Sequence, residues 1–381
     1  MFRKFTADKI FNGTSLLTGK VLIASREGKI IDLVDQAEGG EGIEKYSGII
    51  SPGFINCHCH TELSHLKNKI PKHSGLVDFV LAVMKGRHAP PEEIKEAIIQ
   101  AEKELYFSGT SAVADICNTA DSFSLKQNSK LHWHNFIEVS GFVNSTADER
   151  FEQAKIIEGK FAKLPFRYSI VPHAPYSVSN KLFQLINENS RGLLSIHNQE
   201  TNSENELYLN KSGELLKLYK TLGIDINYFE PTGKTSFQSW LPYFTHHQNI
   251  ISVHNTHISQ HDLNASRDVS FCICINANLY IENTLPPLPL LIENKCAVVL
   301  GTDSYASNIQ LNMVEEMKTI QQHFEGIDTS TLLQWATSNG AVALGISETF
   351  GSFKPGKTPG IVLIEEMDTN FTATSKGKRL L

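Results

Sequence analysis

The chain has 381 residues, of which 41% are hydrophobic and 20% are charged. This length and balance are typical of a globular protein with one large domain and a small accessory domain, or with two ordinary domains. The formal net charge of −6 argues against nucleic acid as the main partner, because surfaces that bind phosphate carry an excess of Lys and Arg. A small-molecule ligand fits these numbers better.

The N-terminal residues lack the apolar stretch of a signal peptide, and no run approaches the roughly 18 apolar residues that a membrane span needs. These features predict a cytoplasmic protein without a membrane partner, and they leave a homodimer open. Six cysteines in so long a chain do not make a disulfide framework. We expect them to be free thiols or metal ligands.

Both ends of the chain carry short apolar runs that are separated by turn residues. Residues 1–51 and residues 350–381 share this pattern, which is typical of antiparallel strands. We therefore expect a small β-sandwich domain that is assembled from both chain ends. Residues 52–349 then form the second and larger domain.

The larger domain alternates β-rich apolar runs with amphipathic segments, which is the pattern of βα units around a parallel sheet. Strand-like runs occur near residues 53–60, 109–116, 133–143, 166–172, 192–197, 250–254, 269–275 and 297–302. Eight such units over about 300 residues predict an α/β fold of the TIM-like (β/α)8 barrel type, whose active site is formed at the carboxyl ends of the strands.

Two of the intervening helices have clear start signals. Pro90-Pro91-Glu92-Glu93 predicts a helix that ends near Gly109. The spacing of Ser203 and Glu206 is that of a capping box, and it predicts a second helix that continues to near Gly223.

Side chains of the metal-ligand or acid/base type follow most of the predicted strands. They are His58, His60, His173, His197, Glu200, His254, Asn276 to Asn278, and Asp303. A single histidine is more often structural than functional. A set of such residues at the end of a barrel where chemistry takes place predicts a functional site.

The stretch Cys57-His58-Cys59-His60 contains both thiolate and imidazole ligands of zinc. Successive side chains of a strand point to opposite faces, so His58 and His60 share one face and the two cysteines share the other. The four side chains therefore cannot all bind one ion. A second pair, His132-Trp133-His134, stands at the start of its strand, which is the structural end of a barrel, and we interpret it as structural.

Four ordered motifs resemble the amidohydrolase superfamily, in particular the deaminase branch with cytosine deaminase, guanine deaminase and the triazine hydrolases. They are Pro52-Gly53-Phe54-Ile55-Asn56-Cys57-His58-Cys59-His60, His197-Asn198-Gln199-Glu200, Val253-His254 and Gly301-Thr302-Asp303-Ser304. The likeness covers nearly the whole chain. It implies one divalent metal ion, zinc first and iron second, that is bound by His58, His60, His197 and Asp303. The cysteines then pack outward against helices.

The resemblance also implies a reaction, the hydrolytic removal of ammonia from an amidine-like carbon of an aromatic nitrogen heterocycle. The substrate class is a nucleobase, a nucleoside analogue such as aminodeoxyfutalosine, or a pterin. By this resemblance, metal-bound hydroxide attacks the amidine-like carbon and Glu200 shuttles the proton. His254 orients the hydroxide, and Asp303 accepts a proton. If the segment after His197 turns helical, the side chains of His197 and Glu200 lie on the same face of that helix. Members of the superfamily that bind two metal ions use a lysine at the end of strand four. This chain has Pro172-His173 at that position.

Three residues are expected to contact the substrate. His173 and Tyr176 lie in a run, His173-Ala174-Pro175-Tyr176, that resembles the substrate-contacting loop of deaminases. Glu62 follows the His58–His60 pair and faces the pocket mouth if the strand continues. The pattern His-x-His-x-Glu-x-Ser also looks like that of aminodeoxyfutalosine deaminases.

Two other functions remain open at this point. One is the hydrolytic displacement of chloride or an alkylamine, as in the triazine hydrolases. The other is a metal-binding barrel without turnover, although metal binding alone would not need Glu200 and His254.

Overall fold

The computed structural model describes residues 2–190, 192–246, 248–266, 268–367 and 369–381. Its strands are β1 (Phe2–Thr6), β2 (Lys9–Phe11), β3 (Leu16–Leu17), β4 (Lys20–Ser25), β5 (Ile30–Asp35), β6 (Ile43–Lys45), β7 (Ile49–Pro52), β8 (Phe54–Cys59), β9 (Thr110–Cys117), β10 (His132–Val139), β11 (Arg167–Pro172), β12 (Leu194–Asn198), β13 (Ile250–His254), β14 (Val269–Ile273), β15 (Ala297–Leu300), β16 (Ile361–Glu365) and β17 (Lys376–Arg379).

The α-helices are α1 (Leu76–Gly86), α2 (Pro91–Phe107), α3 (Phe123–Lys126), α4 (Ala147–Phe161), α5 (Asn180–Asn189), α6 (Asn202–Asn210), α7 (Leu215–Thr221), α8 (Ser236–Trp240), α9 (Gln260–Ala265), α10 (Ile275–Ile281), α11 (Leu288–Glu293), α12 (Met313–His323), α13 (Thr329–Gln334) and α14 (Gly340–Ala343). Short 3-10 turns include Thr61–Leu66 and Pro175–Ser177. Among the described residues, no helix combines the length and the apolar character that a membrane crossing requires.

The eight predicted parallel strands are present as β8 to β15. They form two four-stranded parallel sheets with the orders β11-β10-β9-β8 and β12-β13-β14-β15. Spatial order follows chain order, and helices lie between most of the successive strands, as βα units require. The fold is therefore mixed α/β. The predicted helix after Pro90 is also present, as α2.

The two parallel sheets meet at the carboxyl ends of their strands. The backbone N–H of His197 donates to the carbonyl of His173 at 2.9 Å, which joins β12 to the residue after β11. On the other side, the N–H of Asp303 donates to the carbonyl of His58 at 3.0 Å. Gly301 permits this approach, because a Cβ there would lie 2.8 Å from the Cβ of His58. The histidine-bearing strand ends are thereby brought side by side.

Both chain ends contribute strands to one sheet. The five-stranded sheet has the order β17-β16-β7-β2-β3, and a four-stranded sheet has the order β5-β4-β1-β6. Buried side chains from both sheets form an apolar cluster of their own, which includes Phe5, Leu22, Ile50 and Leu363. The terminal strand also contacts the larger part of the chain, since Arg379 donates to the carbonyl of Tyr106 at 3.0 Å.

The two cysteines of β8 are fully buried, and they pack as predicted. A Cβ at Gly340 of α14 would lie 3.1 Å from the sulfur of Cys57, and Cys59 belongs to an apolar cluster with Leu105 of α2. Burial raises the pKa of both thiols well above the ordinary value. Both side chains are therefore small apolar groups in this fold.

The predicted helix that starts at Ser203 and continues to Gly223 is wrong in two respects. Thr201 caps α6 in place of Ser203, with its side-chain oxygen accepting from the N–H of Ser203, so the helix begins two residues earlier than the capping box predicts. It ends after Asn210, because Lys211 has a left-handed φ of 55°. A second helix, α7, follows after the turn.

The pair His132 and His134 lies at the amino end of β10, away from the carboxyl strand ends, as predicted. His134 is buried, its ring packs 4.5 Å from that of Phe136, and its Nε2 lies 3.5 Å from the hydroxyl of Ser169. Burial, together with the positive charge of Arg167, lowers the pKa of His134 to about 3. The folded protein therefore keeps this imidazole neutral.

This position predicts a pH-dependent stability difference between the wild type and His134→Gln. The unfolded chain takes up a proton on His134 near the ordinary pKa of 6.5, whereas the folded chain does so only near about 3. The unfolded state therefore binds more protons in this window, and the wild type should lose about 2 kcal/mol relative to the variant between about pH 7 and about pH 5. Urea unfolding at both pH values measures this change, and a constant difference would contradict the structural role.

Candidate metal centre and active site

Three imidazole nitrogens and one carboxylate oxygen converge at the carboxyl ends of the strands. The Nε2 of His60 lies 3.1 Å from that of His58 and 3.2 Å from that of His197. The Oδ1 of Asp303 lies 3.5 Å and 3.4 Å from the Nε2 atoms of His58 and His60. All four side chains are buried. They come from the first, fifth and eighth parallel strands, so distant parts of the chain meet at one point.

These separations fit one small cation at the centre of the group. Ligand atoms of a tetrahedral zinc ion with bonds of about 2.0–2.1 Å lie about 3.3–3.4 Å apart, close to the distances observed here. Burial lowers the pKa of His60 to about 4 and lowers the pKa of His197 well below its ordinary value. The imidazoles of His60 and His197 are therefore neutral, as metal ligands must be. His58, His60 and Asp303 form one of the groups that can hold a metal ion. A second group contains His58, His197 and His254, and a third contains Glu138, His173 and His197.

The backbone at these strand ends is unusual. His254 has φ 70° and Asp303 has φ 56°, which is the left-handed region that residues other than glycine rarely adopt. Each such residue costs of the order of 1 kcal/mol. Ser307 orients the carboxylate of Asp303 by donating to its Oδ2 at 2.5 Å, and this leaves Oδ1 directed towards the histidines.

Glu200 and His254 form a second pair beside the ligand group. The Oε1 of Glu200 lies 3.5 Å from the Nε2 of His254, while the Nδ1 of His254 lies 2.7 Å from the Oδ1 of Asn278. Because a carbonyl oxygen only accepts, Nδ1 carries the hydrogen and Nε2 is left as an acceptor. Burial lowers the pKa of His254 to about 4, whereas burial and the nearby charge of Asp303 raise the pKa of Glu200 well above its ordinary value. The pair can hold and pass a proton.

Glu200 reaches this position differently from the prediction. The helical face shared with His197 is wrong, because β12 ends at Asn198, Gln199 has φ 46°, and α6 begins only at Asn202. The backbone N–H groups of Gln199 and Glu200 both donate to the carboxylate of Glu204 at 2.9 Å. Glu204 thus fixes the turn that carries Glu200.

Glu62 is buried, but the strand does not continue to it as expected. It lies in the 3-10 turn Thr61–Leu66, where its carboxylate accepts from Arg87 at 3.0 Å and from the backbone N–H groups of Asn118 and Thr119 at 3.0 Å each. Burial raises the pKa of Glu62 to about 7, against the opposing effect of Arg87. Glu62 therefore joins the loops that follow the first two parallel strands.

His173 and Tyr176 lie next to the ligand group, on the side of the fourth strand. The ring of His173 is 4.9 Å from that of His197 and 5.8 Å from that of Tyr176. The Nδ1 of His173 lies 2.6 Å from the hydroxyl of Ser177. Burial, followed by the charge of Glu200, raises the pKa of Tyr176 well above its ordinary value. The structure thus places His173 beside His197, and Tyr176 beside His173.

Sequence reasoning missed Glu138, near the end of β10. Its Oε1 lies 3.5 Å from the Nδ1 of His197, and its Oε2 accepts from the side-chain amide of Asn118 at 2.8 Å. Burial raises the pKa of Glu138, but His173 and the other neighbours outweigh this effect, so that the pKa is lowered. A carboxylate at the end of an apolar strand was the signal that could have identified it.

A buried ion pair lies beneath the turn that follows His60. Asp115 accepts from the N–H of Thr61 at 2.8 Å and from its hydroxyl at 2.7 Å. The ammonium of Lys126 lies 2.5 Å from Asp115 and 2.7 Å from the side-chain oxygen of Asn135. Both members of the pair are fully buried. The position of the turn after the histidine pair thus depends on this pair.

Comparisons with known proteins agree with the geometry. A sequence profile of the Amidohydrolase family matches residues 49–379. The chain is 25% identical over 375 residues to the 5-methylthioadenosine/S-adenosylhomocysteine deaminase of Aquifex aeolicus, covering 92% of this chain and 80% of that protein. The predicted resemblance to deaminases of the amidohydrolase superfamily is confirmed.

Solved structures share the fold. The aminofutalosine deaminase of Helicobacter pylori has a TM-score of 0.82 at 20% identity, with all of both chains covered. An adenosine deaminase of Xanthomonas campestris, solved with bound zinc, has a TM-score of 0.75 at 20% identity, covering 95% of this chain and 84% of that chain.

The buried ion pair predicts a large loss of stability in Lys126→Met. This change leaves the carboxylate of Asp115 buried without its cation, which should cost about 3–5 kcal/mol of unfolding free energy. Urea unfolding measures the loss. Lys130→Met is the matched control, because Lys130 is an exposed cation four residues later in the chain, and its loss should change stability by less than about 0.5 kcal/mol. Equally small losses of unfolding free energy in Lys126→Met and Lys130→Met would contradict the assignment of a stabilising buried ion pair between Lys126 and Asp115.

Proposed function

Because this chain belongs to the amidohydrolase family, we propose that it is a metal-dependent hydrolytic deaminase of a nucleoside, removing ammonia from an amidine-like carbon of its heterocycle. The observation that carries this proposal is the pair Glu200 and His254, which lies beside four converging ligand atoms. Relatives that match most of the chain are named as deaminases of adenosine-type nucleosides. Aminodeoxyfutalosine is one candidate substrate within this class.

We assign His58, His60, His197 and Asp303 as the ligands of a single divalent ion, and their donor set favours zinc. Such an ion lowers the pKa of water to about 7 and so supplies a nucleophile at neutral pH. The position of a bridging lysine is taken by Pro172-His173, which favours one ion over two.

Glu200 moves the protons of the reaction. Its carboxylate takes a proton from the attacking water and delivers it to the ring nitrogen beside the reacting carbon. The second proton of the water, which Asp303 accepts, is then passed to the amine, the C–N bond breaks, and ammonia leaves as the carbonyl forms. His254 orients the attacking water through Nε2, since its Nδ1 hydrogen is held by Asn278. Asp303 accepts a proton as the water attacks.

His173 and Tyr176 are assigned to the substrate pocket, since both lie beside the ligand group. Glu62 acts on the substrate through Arg87, with which it forms a part-buried ion pair at 3.0 Å. At the level of the fold, we infer that β8 to β15 close into a (β/α)8 barrel. Residues 1–51 and 350–381 then form a small β-sandwich domain.

Glu200→Gln should lower kcat by about 10²–10⁴-fold, because the amide cannot carry the proton. Its metal content should not change, since Glu200 is not one of the four ligands. Ammonia release and metal analysis of the same preparation measure both effects. Glu206→Gln, six residues later on α6, is the control and should keep its activity. Full activity in Glu200→Gln would contradict the mechanism.

The metal-loaded protein should release ammonia from at least one member of a panel of adenosine-type nucleosides, aminodeoxyfutalosine, guanine, cytosine and an aminopterin. Assays of chloride and alkylamine release from triazines address the alternative leaving groups. No ammonia from any member of the panel, with the metal site filled, would contradict the deaminase assignment.

A further inference from the structure

Four buried or half-buried polar side chains lie across the ends of the first three parallel strands, and we call them the mouth network: Glu62, Arg87, Asn118 and Glu138. Arg87 donates through Nη2 to Glu62 at 3.0 Å and to the side-chain oxygen of Asn118 at 2.7 Å. Asn118 in turn donates through Nδ2 to the Oε2 of Glu138 at 2.8 Å. The network is continuous, and it ends beside His197.

The hydrogen bonds of the network fix the orientation of each member. A guanidinium only donates, so the carbonyl oxygen of Asn118 must face Arg87 and its amide nitrogen must face Glu138. This arrangement occupies Oε2 of Glu138. Within the described part of the chain, Oε1 of Glu138 and Nε of Arg87 are both buried and have no hydrogen-bond partner. The network therefore has one free acceptor and one free donor.

His197 does not satisfy the free acceptor. The Nδ1 of His197 carries a single hydrogen, and it lies 2.8 Å from the carbonyl of His173 but 3.5 Å from Oε1 of Glu138. The shorter contact takes that hydrogen. A buried carboxylate oxygen without a donor is costly, and such groups in native proteins are rare. A donor from outside the chain would satisfy it.

We propose that Glu138 is a specificity-determining residue whose Oε1 accepts a hydrogen bond from a sugar hydroxyl of the substrate. This inference rests on the proposed nucleoside deaminase function. The position suits it, because Glu200 follows β12 and faces His254 of β13, whereas Glu138 lies on β10 on the other side of His197. A heterocycle held at Glu200 therefore directs its substituent towards Glu138.

The network contains groups of both charge signs, with Arg87 paired to Glu62 and linked through Asn118 to Glu138. A hydroxyl both donates and accepts, so adjacent hydroxyls can use Oε1 of Glu138 and Nε–H of Arg87 together. A ring N–H only donates and would leave Arg87 unsatisfied.

The test compares a ribonucleoside with its 2′,3′-dideoxy counterpart as substrates for the metal-loaded wild type and Glu138→Gln. The wild type should prefer the ribonucleoside. The variant should lose about 10–100-fold in kcat/KM for the ribonucleoside, mainly through KM, and little for the dideoxynucleoside. Glu316→Gln is the matched control: Glu316 is also buried, but Asn276 and Asn308 already donate to it, so the preference should remain.

Equal losses for both substrates, together with reduced metal content, would overturn the proposal, because Glu138 would then only position His197. An unchanged preference in the variant would overturn it as well. If the wild type releases no ammonia from either compound, calorimetric measurement of the binding of the same two nucleosides tests the hydroxyl site separately from the deaminase function. Selective binding that Glu138→Gln abolishes would support the hydroxyl site while contradicting deamination, and unselective binding would contradict the site.

Discussion

The structure depends on one arrangement, the convergence of three imidazoles and a carboxylate at the meeting point of two parallel sheets. The backbone hydrogen bond from Asp303 to His58 brings the eighth strand beside the first, and the bond from His197 to His173 joins the fifth to the fourth. Without these bonds the four ligand atoms would come from unconnected loops. The rest of the site supports this arrangement, with Glu204 fixing the turn before α6 and Asp115 fixing the turn after His60.

Burial determines the protonation of the site. Removal from water lowers the pKa of His60 and His254 and raises that of Glu200, so these two imidazoles are neutral and the carboxylate of Glu200 takes up a proton more readily than a carboxylate in water does. An acid and a base side by side in one cavity are what amine hydrolysis needs. The same burial makes unpartnered polar atoms informative. The unpartnered Oε1 of Glu138 is one of these atoms. It is the basis for the proposed contact with the sugar, which is the part of the substrate that does not react.

Much of the fold and the ligand group could be predicted from the sequence, because both follow from local rules. Period-two alternation separates His58 and His60 from Cys57 and Cys59, and the barrel pattern places strand-end residues together. The errors arose where a distant contact determines a local conformation. Glu62 lies in a turn because Arg87 and the backbone after β9 hold it, and Glu200 precedes its helix because Glu204 caps the turn. Glu138 was overlooked because its role depends on Asn118, twenty residues away.

The central claim is that imidazole and carboxylate, and not cysteine sulfur, bind one ion. X-ray absorption spectroscopy of the zinc-loaded protein, with metal analysis of the same sample, tests it most directly. The account predicts one zinc per chain with nitrogen and oxygen neighbours at about 2.0–2.1 Å and the scattering pattern of imidazole rings. A sulfur neighbour at about 2.3 Å, or two zinc ions per chain, would contradict it.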